Sequence, residues 1–209
     1  MVGDKKVDGR RERSRHTRRR IVDAATQLFL VRGYVASTIE DVAEEAGVAV
    51  QTVYYVFGTK PRLLAAVLDA SIAGDVEPVP IVERSWIDSL RAERDATSAV
   101  RLLVEWSLAI VARVAPIYEV VRRAASDPDV SALLEETRRR RRNDQRMLIE
   151  ILSQSGHIQP DVTVESAADA FYGVVNEEVF LLLTGDCGWD VDRFLAWVTA
   201  LMTDQLARR

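Results

Sequence analysis

TIEDVAEEAGVAVQTVYYVFGTK, residues Thr38 to Lys60, reads as one helix, a tight turn and a second helix. Thr38 with Asp41 three residues on is a capping-box start: a hydroxyl accepts an early N–H and an acid reaches back. Ile39, Val42, Ala43 and Ala46 recur at 3/4 spacing and make one apolar face. Gly47 falls where that helix must stop, because glycine alone takes a positive φ without steric cost. Val48 is an apolar plug between the two helices. The second helix, Val50 to Phe57, turns Val53 and Phe57 inward at i, i+4 and leaves Gln51, Thr52, Tyr54, Tyr55 and Val56 on other faces. Gln reads adenine in the major groove, Thr and Tyr hydroxyls reach phosphates, and methyls meet thymine. Two small core helices of an ordinary bundle would show much of the same pattern, so the flanking sequence decides.

Upstream, Thr17 to Arg32 carries Ile21, Ala24, Ala25, Leu28 and Phe29 as a buried stripe, ended by Gly33, with Tyr34 to Ser37 as the connection. Three short helices then share a core of Ile21, Leu28, Phe29, Ile39, Val42, Val53 and Phe57. Residues 1–16, with Lys5, Lys6, Arg10, Arg11, Arg13 and Arg15 and almost nothing apolar, are expected to be a disordered basic arm, either a DNA contact or a solvated leader. Downstream, Thr59 caps a fourth helix and Pro61 sits in its first turn, where a missing N–H costs nothing. Lys60 at that N-terminus joins free N–H groups in an anion site suited to a phosphate. Leu63, Leu64, Val67 and Leu68 carry the helix onward.

Charge is divided unevenly. The chain of 209 residues has a net charge of −4, but residues 1–62 hold 12 Lys/Arg against 8 Asp/Glu, while residues 63–209 hold 16 against 24. A basic head on an acidic body points to nucleic acid as the partner of the head. No long uncharged apolar run suggests a membrane span, and the charged N-terminus has no apolar stretch of a secretory signal. Cys187 is the single cysteine, which leaves no internal disulfide and suits a reducing cytoplasm.

Residues 21–64, with IVDAATQLF, RGY and STIEDVAEEAGVAVQTVYYVFGTKPRLL, resemble the N-terminal domain of the TetR family of transcriptional regulators. EEVFLLLTGDCGWDVDRFLAW, residues 177–197, is similar to the ends of some of its members. The resemblance implies an all-helical homodimer that binds a palindromic double-stranded DNA operator and releases it when a small molecule enters the C-terminal domain. Carried over by position, it implies that Thr38 and Lys60 contact phosphates, and that Val50, Gln51, Thr52, Tyr54 and Tyr55 face the groove or its walls. Two positions depart from the family pattern. Ala49 stands where Ser is common, and Val56 replaces the His or Tyr that usually precedes the Phe.

Beyond residue 73 the helical signal lapses from Gly74 to Asp95, with Ser85 and Asp88 able to cap a single turn around Trp86 and Leu90. The body then reads as Thr97–Arg113 stopped by Pro116, Ile117–Ala125, Val130–Ser155 stopped by Gly156, Val164–Thr184, and Trp189–Leu206. Arg138 to Arg142 sweep the whole circumference of their helix, so they cannot share one solvent face. Leu133, Leu134, Leu148, Ile151 and Leu152 extrapolate to an inward Thr137, Arg141 and Asp144. Arg141 either pairs in solvent with Glu135 and Glu136, or sits in the interior against an anionic ligand or an acid such as Glu105 or Glu177. Trp106, Arg141, Phe171, Tyr172, Asn176 and Glu177 are the candidate ligand pocket; Asn176 and Glu177 interrupt the most apolar helix, where they either line that pocket or sit at a dimer seam, since buried polar groups need partners. Val174, Leu181, Phe194, Leu195, Val198, Leu201 and Met202 offer more apolar surface than one short body needs; they either close the core of one chain or form a dimer seam, and the family resemblance implies the seam.

No catalytic constellation, phosphate loop or metal-ligand spacing is visible, and no cofactor is expected. The expectation is an all-α fold of about nine helices. It comprises an arm over 1–16, a helix-turn-helix domain over 17–62, and a ligand-binding and dimerisation domain over 63–209. The expected function is that of a ligand-responsive repressor. The alternative is a small-molecule-binding or interaction protein whose head has lost DNA binding, for which Ala49 and Val56 speak.

Overall fold

The structure, a computed structural model, describes residues 4–74 and 85–208, and only the backbone of 4–11 and 85. Ten α-helical segments appear among the described residues: α1 (Asp4–Arg32), α2 (Ile39–Glu45), α3 (Val50–Phe57), α4 (Lys60–Ala73), α5 (Ser85–Ala92), α6 (Ala96–Arg123), α7 (Pro128–Gln154), α8 (Val164–Val174), α9 (Glu177–Leu181) and α10 (Val191–Leu206). Counted as one broken helix, α8 and α9 bring the total to nine. An isolated bridge between Ile158 and Ala207 is the only β pairing among the described residues. No described helix is long and apolar enough to cross a membrane.

The chain divides into two compact units that cut across the boundary expected at residue 62. Unit 1 is Met1–Ser71 with Pro116–Leu134; unit 2 is Ile72–Ala115 with Glu135–Arg209. In unit 1 all seven residues expected to form the head core are buried, together with Leu63, Leu64, Val67 and Leu68 of α4 and Ile117, Tyr118 and Val121 of α6. In unit 2 the core joins Leu103, Val104 and Leu108 of α6 to Leu148 and Leu152 of α7, Phe171 of α8, Phe180 of α9 and Phe194 of α10.

Four boundaries differ from the sequence reading, each for a physical reason. Helix α1 begins at Asp4, not Thr17. Residues 12–16 are exposed, so helix there is propagated outward from the buried Ile21–Phe29 turns, the nucleation cost being met already, with Glu12, Arg13 and Arg15 favouring it. The side chains of Lys5, Lys6, Arg10 and Arg11 lie outside the described residues, as do residues 75–84 of the stretch where the helical signal lapses. Helix α5 runs for eight residues rather than one turn, with Trp86, Ile87 and Leu90 buried.

Pro116 does not stop α6, which continues through it to Arg123. An internal proline costs about 3 kcal/mol. Here Val114, Ala115, Ile117 and Tyr118 flank it at 1% exposure or less, and their burial outweighs that cost. The expected single helix Val164–Thr184 is broken at Val175–Asn176. Asn176 supplies the break: its Oδ1 accepts from Val179 N–H at 2.8 Å, and its Nδ2 donates to the Tyr172 and Gly173 carbonyls at 3.0 and 3.1 Å. A short amide side chain offers backbone groups partners that a continuing helix would otherwise supply. After α9 the chain makes one π-helical turn, Leu182–Asp186, and then reaches the exposed Cys187.

Candidate functional site

The helix-turn-helix segment of unit 1 is built as its sequence dictates. The Thr38 hydroxyl accepts from Asp41 N–H at 3.0 Å, and the Thr38 N–H donates to Asp41 Oδ2 at 2.8 Å, a reciprocal cap at the start of α2. Those Thr38 hydrogen bonds, backbone first, with Arg32 and Lys60 adding positive charge, hold the Asp41 carboxyl below the usual carboxylate range. Gly47 takes a φ of 61° at the turn. Val53 and Phe57 of α3 are buried, at 1% and 6% exposure.

With that pair turned inward, the remaining faces of α3 are free. Gln51, Tyr54 and Tyr55 are exposed, Tyr54 by 49% and Tyr55 by 91%, while Val50, Thr52 and Val56 are half-buried. Five of the seven residues expected to meet DNA therefore lie on one eight-residue helix. Thr38 is exposed at the start of α2, its hydroxyl already engaged by Asp41.

Lys60 sits differently from the simple anion site expected. Its ammonium lies 4.2 Å from the centre of the Tyr34 ring and donates to the Val35 carbonyl at 3.4 Å. Burial lowers its pKa, against the opposing pull of Asp127 and Asp41. Tyr34 is itself 6% exposed and stacks edge-on against Phe29 at 5.6 Å. Burial, with the charges of Asp127 and Asp129 adding to it, pushes its phenol up to about 12.

An acid with a raised folded pKa keeps its proton longer in the fold than in the unfolded chain. Stability is then lost as pH rises from the ordinary tyrosine value of 10.0 towards about 12. Tyr34→Phe is expected to remove that part of the alkaline loss. Urea midpoints compared at about pH 9 and about pH 11 check it, and parallel losses in both proteins would refute the assignment.

Two arginines of α1 that carry no signal in the sequence pattern hold the segment from behind. Arg20 Nη2 donates to the Gly47 carbonyl at 3.0 Å and to the Ala46 carbonyl at 2.5 Å, and the Arg18 guanidinium lies 4.7 Å from the Phe57 ring centre.

Unit 2 holds a second cluster. Arg141 is an interior residue: its side chain is 13% exposed and pairs with Glu177, which is 6% exposed, and with Glu178 at 3.4 Å. Tyr172 packs against it, with the guanidinium 5.1 Å from the ring centre. Arg138 donates to Glu178 at 3.0 Å, and Arg142 to Asp169 at 2.9 Å. Thr137 is buried on the same stripe; burial raises the half-buried Asp144 carboxyl, offset in part by Arg140.

Gln145, one turn beyond Arg141, was not singled out by sequence. It is 6% exposed, donates from Nε2 to the Val175 carbonyl at 2.7 Å, and leaves Oε1 without a hydrogen bond. Its i+4 spacing from Arg141 on the inward stripe was the available signal.

The other pocket candidates separate. Asn176 and Phe171 are buried, Asn176 as the cap of α9 and Phe171 in the core; Trp106 is 45% exposed and stacks on Trp86 at 5.7 Å. Trp106 therefore lies at the surface, covering the buried Trp86. The dimer assignment also divides. Phe194, Val198 and Met202, at 1% exposure or less, form the inward i, i+4, i+8 stripe of α10 and have no surface left to give a partner. Val174, Leu181, Leu195 and Leu201 are half-buried at the edge of that core.

Residues 21–67 match the family described as bacterial regulatory proteins, tetR family. The chain is 36% identical over 86 residues to the uncharacterized HTH-type transcriptional regulator TtgW of Pseudomonas putida, a match covering 40% of this chain and 64% of TtgW, less than two thirds of that relative. It is 30% identical over 182 residues to the uncharacterized HTH-type transcriptional regulator YdeS of Bacillus subtilis, covering 84% of this chain and 83% of YdeS. A transcriptional regulator from Saccharomonospora viridis, solved in complex with choline, shares the fold with a TM-score of 0.68 at 22% identity, over 92% of this chain and 98% of that one. The match to YdeS extends the likeness from the helix-turn-helix head through most of the body, and the chain belongs to the TetR family of helix-turn-helix transcriptional regulators.

Proposed function

We propose that the protein is a ligand-responsive transcriptional regulator, not an enzyme. In this reading it is a cytoplasmic homodimer that represses by holding a palindromic DNA operator and releases it when a small molecule binds the helical body. The observation that carries the reading is α3: it buries Val53 and Phe57 and leaves Tyr55 91% exposed beside Gln51 and Tyr54. A large aromatic side chain held in water on a rigid helix does nothing for the fold, whereas stacked donors and hydroxyls on one helix suit a major groove and its phosphate walls. The choline complex of the Saccharomonospora viridis regulator supports a small-molecule role for the body, since that relative carries a ligand on the same fold. Exposed Leu182, Val191 and Trp197, at 52%, 52% and 36%, support pairing of two copies through the α9–α10 region.

One recognition helix per subunit would enter successive major grooves about one helical turn apart. A ligand that binds better to the body conformation with wrongly spaced heads shifts the population away from the DNA-competent state. Helix α4, which leads out from Lys60, is the element proposed to carry that change.

The test uses a duplex enriched by the wild-type protein from a random-sequence pool. Tyr55→Ala is expected to weaken binding to it by about tenfold, roughly 1.4 kcal/mol, with an unchanged denaturation midpoint. Wild-type affinity in the variant would remove α3 from the DNA interface.

A further inference from the structure

The turn between α2 and α3 sets the angle at which the recognition helix is presented, and local sequence does little to secure it. Helix α2 ends with Glu44 and Glu45 in its last turn and no basic residue there. Negative charge at a helix C-terminus opposes the macrodipole instead of complementing it. On the other side of the turn, Ala49 occupies the N-cap of α3 and makes no side-chain cap hydrogen bond. Both flanks of the turn thus lack the side-chain contacts that normally fix helix ends.

Arg20 supplies from α1 what the α2 flank lacks. Its Nη2 donates to the Ala46 and Gly47 carbonyls, the groups left over where α2 ends, and brings the positive charge that the last turn of α2 does not have. The fit is close: a Cβ added at Gly47 would lie 2.7 Å from Arg20 Nη2, so glycine there serves the positive φ and the approach of the guanidinium together. Arg18, two residues earlier, packs its guanidinium on Phe57 at the far end of α3.

We infer that Arg20 is a positioning residue for DNA recognition, fixing the α2–α3 turn from its α2 side while the α3 side, with Ala49 at the N-cap, has no side-chain cap. This rests on the DNA-binding reading above. Arg20 acts through the backbone of the turn, so its loss should blur discrimination between sequences more than it weakens general attraction to DNA.

Anisotropy titrations of the full-length protein separate these effects, using the enriched duplex and a shuffled duplex of the same composition at several salt concentrations. Arg20→Ala is expected to weaken binding to the enriched duplex about tenfold while leaving the shuffled duplex within about twofold, and to keep the salt slope. Arg20→Lys, which keeps the charge but not the rigid planar guanidinium that places Nη2 between the two carbonyls, should lose about threefold. Ala49→Ser should recover about threefold in the Arg20→Ala background and gain less than that in the wild type.

Equal losses on both duplexes with the salt slope reduced by about 0.9 would overturn the proposal and make Arg20 a phosphate contact. Wild-type discrimination in Arg20→Ala, or in Arg20→Lys should the alanine variant not fold, would also overturn it. So would recovery by Ala49→Ser of the same size in both backgrounds. Failure of the wild-type protein to enrich any duplex would sink the DNA-binding reading itself, and Arg20's role with it.

Discussion

Glu177→Ala is expected to destabilise unit 2 by about 3 kcal/mol. The carboxylate is 6% exposed and its partner Arg141 13% exposed, so removing one leaves a guanidinium in the interior without the charge that balanced it. Arg141 then keeps Glu178, at 3.4 Å and 36% exposed, as a weaker and wetter partner, with the Tyr172 ring beside it, which places the loss at the lower end of the usual range for a broken buried pair. Urea denaturation followed by circular dichroism reads the change, and a loss under about 1 kcal/mol would mean that water already reaches the pair. Replacing both partners with Met should recover most of the loss, because two well-packed apolar side chains carry no desolvation cost. Recovery in the double variant separates a broken charge pair from simple loss of packing.

Phe29→Ala should cost about 3–5 kcal/mol by the same measurement. Phe29 has no exposed surface and supports Tyr34 edge-on at 5.6 Å, and Tyr34 in turn carries the Lys60 ammonium 4.2 Å from its ring centre. Truncation therefore opens a cavity in a small core and removes the floor beneath two further residues, so neighbouring side chains relax only in part. DNA binding is expected to fall with helicity, in contrast to Tyr55→Ala, where affinity falls and helicity stays. A loss below about 1 kcal/mol would show that the site collapses without a cavity and would contradict the core assignment.

The head was largely legible because its signals are local. The Thr38–Asp41 cap, Gly47, and Val53 with Phe57 four residues later each follow from chemistry within a few positions of the chain, and the structure has each as expected. Extrapolating a stripe of leucines along one helix turns Arg141 inward but leaves solvent pairing with Glu135 and Glu136 open, and Glu177, distant in sequence, decides for the interior. What sequence did not yield depends on partners far along the chain. Lys60 looks free at a helix start, yet Tyr34 and the Val35 carbonyl, some 25 positions away, occupy its ammonium. Pro116 reads as a stop until the burial on both sides of it is known. Phe194, Val198 and Met202 look alike whether they face a partner or their own core. Arg20 is one of several arginines in a basic run, and only the fold brings it to the α2–α3 turn.

Cys187, exposed just past the π-helical turn, is the only thiol in the chain. A maleimide spin label would therefore mark every polypeptide at one known place without any engineering, and a symmetric pair would carry two. A single sharp interspin distance would report the pairing of copies, and its shift on titrating candidate small molecules would turn the same thiol into a ruler for effector screening.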